Sequence, residues 1–179
     1  MRTLVLVSLV LSVVACSGEE GDPLQDTVDV AASASSQTSG CGDIQVVVHD
    51  ESATHALFLT VSDDLAWDAA NAGQALSRTY ALPDPAVSIV ARWGDDLVYL
   101  HCSDVVEPGR EPTVDGEAVA VSGSLTVTVV PSGRPVEPWD FGGMATLELL
   151  GVTLEDAEGG TATLPDTVVA DVYVGWLPG

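Results

Sequence analysis

The segment SLTVTVV, residues 124–130, shows most directly which kind of fold this chain adopts. Leu125, Val127 and Val129 alternate with threonine, so successive side chains point to opposite faces of an extended strand. One face is apolar and the other is polar, which is typical of an antiparallel strand that covers a core on one side only. Valine and threonine also favour the pleated conformation because they are stiff at χ1.

Similar apolar runs, separated by turn signals, follow one another from residue 43 onward. In TVVADVYVGW (167–176) the alternation predicts one core-facing set of side chains: Val168, Ala170, Val172, Val174 and Trp176. The predicted strands cover 43–49, 55–61, 77–82, 87–93, 97–102, 117–123, 124–131, 144–154, 160–164 and 167–176.

The connections between these runs suit antiparallel neighbours. Gly94–Asp96 and Glu158–Gly160 fit tight hairpin turns between consecutive strands. Many short strands in a single domain predict an all-β, antiparallel, two-sheet β-sandwich of immunoglobulin-like or jelly-roll-like type.

The segment SDDLAWDAANAG, residues 62–73, interrupts the strand pattern. Asp63 or Asp64 can cap a short helix within 64–72, and Gly73 can end it. A loop is equally compatible with these residues, so the sequence leaves both open.

The charge of the chain excludes one class of partner. The 27 acidic and 5 basic side chains give a formal net charge of −22. Such a surface repels the phosphates of nucleic acids, so the sequence predicts no nucleic-acid partner. Hydrophobic residues make up 46% of the chain, which is enough to form a core.

The first 16 residues, MRTLVLVSLVLSVVAC, have the layout of a secretory signal. Arg2 is followed by an apolar run, Leu4–Val14, that is too short to span a bilayer. The ending VVAC (13–16) resembles the lipobox of bacterial lipoproteins. In that family the signal is cut before the cysteine, and the cysteine carries the lipid. The resemblance implies lipidation at Cys16 by several acyl chains, which together make a durable membrane anchor.

The resemblance also gives an expected location and domain plan. Ser17 after the lipidated cysteine implies the outer membrane or the cell surface. The alternative is an ordinary signal peptide with an incidental Cys16. We expect a signal peptide over 1–15, the lipidated cysteine with a flexible acidic tether over 16–40, and a β-sandwich domain over 41–179.

Cys41 and Cys102 are the remaining cysteines. In an exported protein they are expected to form a disulfide. Two free thiols or a metal site are the alternatives, and only His49, His55 and His101 could assist a metal. A cupredoxin-type copper site is excluded because no histidine follows Cys102.

No sequence motif supports catalysis. The chain has no G-x-S-x-G, H-E-x-x-H or C-x-x-C motif, and it has no lysine for an S-x-x-K nucleophile. Adjacent residues in HDES (49–52) point to opposite faces of a strand. Paired carboxylates could serve a glycosidase, but among 27 acids such a pair has no specificity. A hydrolase is therefore the third hypothesis.

Two binding hypotheses remain. Trp67 and Trp139 lie beside acids in segments predicted to be loops, where they could stack on sugar rings or cap the core. Acidic turns could hold calcium through carboxylate oxygens or be solvated turns. These acids are Asp63, Asp64, Asp68, Asp95 and Asp96, with a further turn at Glu155, Asp156 and Glu158.

The sequence as a whole predicts a non-catalytic structural or interaction protein of the bacterial cell envelope, without an obligatory cofactor. Its partner would be a protein or a glycan. A carbohydrate-binding or calcium-binding module is the alternative.

Overall fold

The structure is a computed structural model that describes residues 21–103, 105, 107–135 and 141–175. The predicted signal peptide, Cys16, Trp139 and Trp176 lie outside the described residues. In chain order the elements are α1 (Pro23–Ala32), β1 (Gln37–Cys41), β2 (Ile44–His49), β3 (His55–Val61), α2 (Leu65–Ala72), β4 (Leu76–Leu82), β5 (Val87–Asp95), β6 (Thr113–Pro131), β7 (Gly142–Asp156), β8 (Thr161–Thr163) and β9 (Thr167–Gly175).

The strands pair antiparallel, which confirms the predicted all-β class. They form one hydrogen-bonded sheet in the order β1-β2-β3-β5-β6-β7-β8, with β4 paired to β6 and β9 paired to β7. Among the described residues a single isolated bridge, Gly42–Gly175, joins the end of β1 to the end of β9. Apart from this bridge, the edge strands β1 and β9 are not hydrogen-bonded to each other, so the sheet is open between them. A division into two separate sheets is not confirmed.

The two longest strands, β6 and β7, change register at a shared corner. Register shifts occur between Ala120 and Ser124 of β6, opposite Gly151 of β7. Gly123 adopts φ +110°, and a Cβ atom there would lie 2.6 Å from the Cα of Val152. Bulges of this kind bend and twist a strand pair. Beyond the corner, β6 exchanges β5 for β4 as its second neighbour.

One hydrophobic core lies between the two parts of the bent sheet. Leu125, Val127 and Val129 are all buried, as their alternation predicts. They share a single cluster with inward side chains of β2, β3, β5, β7 and β9 and with both helices: Val46, Val48, Leu57, Leu59, Ile89, Leu147, Leu149, Val172, Val174, Val28 and Leu65.

The prediction of a flexible tether through residue 40 is wrong for the part that the structure describes. Helix α1 presents Leu24, Val28 and Ala31 at intervals of four and three residues, so they share one helical face. All three are buried in the core cluster. The Asp22 side chain caps the helix by accepting from the Leu24 N–H at 3.1 Å. The folded domain therefore includes α1 and β1, which lie before the predicted domain start at residue 41.

The predicted strand over 97–102 is also wrong. This segment forms successive turns, in which the Tyr99 N–H donates to the Asp96 carbonyl at 3.0 Å. Its apolar character reflects a small second cluster, where Leu97 packs against Val47. Strand β5 continues through Asp95, so Gly94–Asp96 is not a hairpin turn.

In strand β9 the set of side chains that points into the core changes partway along the strand, whereas the alternation predicted one continuous set. Val172 and Val174 are buried as expected, but Val168 is 62% exposed and Val169 takes its place in the core. The β7–β9 register shifts between these two halves, where Asp171 adopts φ +56°. The bulge adds one residue, and because strand side chains alternate, it exchanges the two faces.

Two local predictions are confirmed. The segment within 64–72 forms helix α2, which ends at Gly73 in the left-handed conformation at φ +65°. The turn at Glu158–Gly160 joins β7 to β8, and the Asp156 N–H donates to the Gly160 carbonyl at 3.0 Å.

Candidate functional site

The Cys41–Cys102 disulfide is present, as predicted. It joins residues 61 apart in sequence, with a Cα–Cα distance of 5.7 Å, and ties the end of β1 to the turns over 97–102. A disulfide is consistent with an exported protein. In the part of the chain that the structure describes, no helix is both long and apolar enough to cross a bilayer.

The acids around α2 belong to a structural network. Asp63 accepts hydrogen bonds from the Leu65 N–H at 3.0 Å and the Tyr80 hydroxyl at 2.7 Å, and it pairs with Arg78. Partial burial would raise the pKa of Asp63, but these hydrogen bonds and the Arg78 charge lower it. Asp68 lies 3.5 Å from the same guanidinium. Two of the predicted calcium ligands, Asp63 and Asp68, thus already have Arg78 as a partner.

In the second predicted acidic turn, at Asp95 and Asp96, one of the two acids is paired. Asp96 lies 3.3 Å from the Arg110 Nε, and Asp95 belongs to β5 opposite Thr113. Across the described ranges, no group of three carboxylates brings its oxygens within 4.8 Å of one another. The predicted calcium ligands, including Asp64, are therefore not gathered into a common site.

Trp67 lies half-buried on α2 and packs against the core. Its ring makes an edge contact with Phe141, with centroids 6.3 Å apart. This is the core-capping role that the sequence left open beside sugar stacking. Trp139 lies outside the described residues.

The HDES segment forms the β2–β3 turn. Asp50 accepts from the Ser52 hydroxyl at 2.9 Å, from the Thr54 hydroxyl at 2.7 Å and from the Thr54 N–H at 2.8 Å. Partial burial would raise the pKa of Asp50, but the hydrogen bonds from Thr54, Ser52 and the His55 N–H outweigh it and lower the pKa to about 2. The Asp50 side chain thus holds the turn together through its hydrogen bonds to Ser52 and Thr54.

The structure shows a cleft that the sequence did not predict. Its volume is about 450 Å³, and it lies where the start of α1 meets the β5–β6 pair and the β7–β8 turn. One side holds the indole of Trp93. The remaining lining combines five acids with small or apolar residues: Asp22, Asp115, Glu117, Asp156, Glu158, Pro23, Leu24, Gly116 and Ala157.

Glycine positions the indole of Trp93. A Cβ atom on Gly116 would lie 2.2 Å from the Trp93 Cζ2, so the ring lies directly against the backbone of β6. The β5–β6 register shifts between Trp93 and Gly94, and Gly94 adopts φ +151°. The ring is half-buried and packs against the core. It is therefore a fixed wall of the cleft.

The cleft is strongly acidic. None of its lining residues is basic, and Arg92 is paired to Glu117 at 3.2 Å beside it. The Asp156 side chain is fixed by the N–H groups of Glu158 and Gly160, each at 2.8 Å. Carboxylates held together in a concave site repel one another and focus a negative potential into it. An aromatic face with carboxylates around it suits a positively charged group.

Sequence reasoning missed this cleft because four separated segments form it: 22–24, 93, 115–117 and 156–158. Its first segment falls within the predicted flexible tether, and Trp93 lies at the end of the predicted strand over 87–93, far from that segment in sequence. The one available signal was the match of Asp22-Pro23 to a helix start, since aspartate is a preferred N-cap and proline suits the first helical position.

No family model matches the chain, and neither does any curated protein or solved structure.

Proposed function

We propose that this protein is an exported lipoprotein of the bacterial cell envelope that is anchored through Cys16 and binds a positively charged group of a protein partner without catalysing a reaction. The anchor rests on the lipobox-like VVAC ending at residue 16. The binding role rests on one observation, the cleft at the start of α1 that is lined by Trp93 and five acidic residues, of which Glu117 is paired with Arg92. In this proposal the two parts of the bent sheet act as the two layers of a sandwich.

If Cys16 carries the lipid as proposed, the short segment from Cys16 to Asp22 would keep this cleft near the membrane. From Cys16 to the helix cap at Asp22 the chain spans six residues, which reach roughly 20 Å when fully extended. Asp22 itself lines the cleft. An anchored protein would therefore present the cleft within a few nanometres of the lipid surface, where the partner's basic segment would have to be available.

The proposed recognition combines two contributions. A lysine or arginine side chain over the Trp93 face gains a cation–π interaction of about 0.5–2 kcal/mol, depending on how far it is desolvated. The surrounding carboxylates accept its hydrogen bonds, and its charge relieves their mutual repulsion. The net charge of −22 attracts every cation weakly, without selecting one. Specificity for one cationic group must therefore come from the cleft.

The binding test uses the full-length protein purified in detergent and a short peptide of alternating lysine and glycine. Titration calorimetry at about 0.15 M salt limits the contribution of distant charges. Trp93→Leu should weaken binding by roughly 2-fold to 30-fold, the equivalent of the cation–π contribution. Asp115→Asn should also weaken it. Glu148→Gln is the matched control, because it removes one charge from the exposed face of β7, outside the cleft.

Two results would count against the proposed binding. One is equal peptide affinity of the wild type and Trp93→Leu. The other is an equal loss for Asp115→Asn and Glu148→Gln, which would show that only total charge matters. The anchor is tested separately: Cys16→Ser should move the protein from the membrane fraction to the soluble fraction.

Carbohydrate binding is the second candidate, and the same cleft favours it. An indole face stacks on the apolar face of a sugar ring, and carboxylates accept sugar hydroxyls. A panel of neutral oligosaccharides, tested against wild type and Trp93→Leu, separates the two functions. A neutral sugar whose binding needs Trp93 and does not change with salt would replace the cationic group as the ligand.

A further inference from the structure

A second group of ligand-type side chains lies at the disulfide, away from the acidic cleft. The sulfur atoms of Cys41 and Cys102 and one imidazole nitrogen of His101 all lie within 4.8 Å of one another. Cys41 is the last residue of β1, which fixes its position on the sheet. His101 and Cys102 are consecutive in the turn segment, where the His101 N–H donates to the Val98 carbonyl at 3.0 Å.

The His101 side chain has an unused ligand atom. Its Nε2 is buried and has no hydrogen-bond partner, the one such side-chain atom found among the described residues. The edge of the ring packs against Phe58, with centroids 6.1 Å apart. Burial lowers the pKa of His101, the nearby His49 lowers it further, and a hydrogen bond to the Ser39 backbone opposes these effects.

The disulfide is reachable from solvent. Cys102 is an exposed residue, and its backbone adopts the left-handed conformation at φ +59°, which residues other than glycine rarely occupy. Non-glycine residues held in this conformation carry a local conformational cost and cluster at functional sites. A thiolate from solution can thus approach the Cys102 side of the bond.

We propose that reduction of the Cys41–Cys102 disulfide by a dithiol converts this group into a Zn²⁺ site formed by the two thiolates and the His101 imidazole. The dithiol supplies two electrons and two protons and becomes a disulfide itself, while the Cys41–Cys102 bond breaks to give two thiols. Binding of Zn²⁺ then displaces both thiol protons. A water molecule completes four-coordinate geometry on the exposed side.

The observed spacing is compatible with this site. Zinc binds thiolate sulfur at about 2.3 Å and imidazole nitrogen at about 2.0–2.1 Å, so two ligand atoms on one tetrahedral zinc lie roughly 3.4–3.8 Å apart. Each nitrogen–sulfur separation is already at or below 4.8 Å. The main change is the separation of the two sulfurs after reduction, which side-chain rotation can supply. Thiolate and imidazole ligands favour Zn²⁺ over calcium or magnesium.

The experiment measures zinc bound to the full-length protein in detergent, with and without prior reduction by a water-soluble phosphine. Millimolar magnesium is included to occupy weak acidic sites. The reduced wild type should bind one zinc per chain in competition with a chromophoric chelator, and the oxidised protein should bind none. Cobalt in place of zinc should give a sulfur-to-metal charge-transfer band in the near ultraviolet.

Three variants assign the ligands. Cys41→Ser/Cys102→Ser should abolish binding, and because it retains Cys16 it also subtracts any contribution of that residue. His101→Ala in the reduced form should weaken zinc binding about 10-fold or more. The matched control is His55→Ala, since His55 is the first residue of β3, lies beside Asp50 and is not part of the group.

Zinc should also raise the melting temperature of the reduced protein and leave that of the oxidised protein unchanged. The proposal is overturned if the reduced wild type binds no more zinc than the double serine variant, whether or not reduction loosens the fold. Equal zinc affinity of reduced wild type and His101→Ala would overturn the role of His101.

Discussion

Replacing Leu24 by alanine tests whether α1 is part of the folded domain. The Leu24 side chain is 3% exposed and belongs to the core cluster. The substitution removes three carbon atoms, worth about 2.4 kcal/mol at about 0.8 kcal/mol each, and the cavity left behind raises the cost to about 3 kcal/mol. If this segment were a flexible tether, Leu24→Ala would leave the free energy of unfolding unchanged. The packed helix and the flexible tether therefore predict values that differ by about 3 kcal/mol.

Urea denaturation followed by far-ultraviolet circular dichroism measures this loss. With an m-value of roughly 2 kcal/mol/M, Leu24→Ala should lower the unfolding midpoint by about 1.5 M. Gln25→Ala is the control, because Gln25 is exposed on the same helix and makes only an exposed hydrogen bond to Asp29. Its cost should stay within about 0.5 kcal/mol. Equal midpoints for the two variants would refute the packing of α1 on the sheet.

Three other perturbations have defined outcomes in the same denaturation assay. Cys41→Ala/Cys102→Ala should lower the free energy of unfolding by about 4 kcal/mol, because without the bridge the unfolded chain gains the entropy of a loop with a sequence separation of 61. A loss below about 1 kcal/mol would contradict this. The pKa of Asp50 is lowered to about 2 in the folded state, so its carboxylate stabilises the fold above pH 4, and this contribution is lost as the pH falls from about 4 to 2. Over that range the wild type should lose about 1–2 kcal/mol more than Asp50→Asn, after allowance for solvent screening. Gly123→Ala should lower the free energy of unfolding by more than about 3 kcal/mol, because its Cβ would lie 2.6 Å from the Val152 Cα. Gly109 is also at positive φ, but no atom lies within 4 Å of its Cβ position, so Gly109→Ala should lower the free energy of unfolding by about 1 kcal/mol.

The strands with strong alternation could be predicted from the sequence, because burial of one face requires that alternation. Residues 55–61 form β3 with the predicted limits, and β2, β4, β5 and β7 differ from the prediction only at their ends. Strand β1 could not be found in this way. Its sequence QTSGC has almost no apolar character, and it pairs only because β2 offers an edge.

Helix α1 was missed for a different reason. Serine, glycine, alanine and acids dominate residues 17–40, and this composition hides a narrow apolar stripe of Leu24, Val28 and Ala31. The segment over 97–102 gave the opposite error, since its leucine and valine cover a small outer cluster and not a strand position. Both errors arise where tertiary packing decides the structure of a segment whose local pattern is weak.

Of the candidate sites, the disulfide could be predicted from the sequence, and the cleft at Trp93 could not. The pairing of Cys41 with Cys102 follows from the number of cysteines and the expected lipid on Cys16, whereas the cleft at Trp93 forms only where the β5–β6 bulge meets the start of α1. Three of the acids expected to bind calcium, Asp63, Asp68 and Asp96, instead pair with Arg78 or Arg110, and these pairings depend on three-dimensional neighbours.

The disulfide also determines how the domain would respond to mechanical force. If the two ends of the chain were pulled apart, the force at the N-terminal end would first detach α1 and β1. The force would then reach Cys41. From there the covalent bridge carries the tension directly to Cys102, so the intervening loop, with a sequence separation of 61, bears none of it. Roughly 200 Å of contour length is therefore withheld from extension as long as the bridge is intact. A reductant would release that length, so in a single-molecule pulling trace the redox state of two sulfur atoms would appear as a step in the length of the protein.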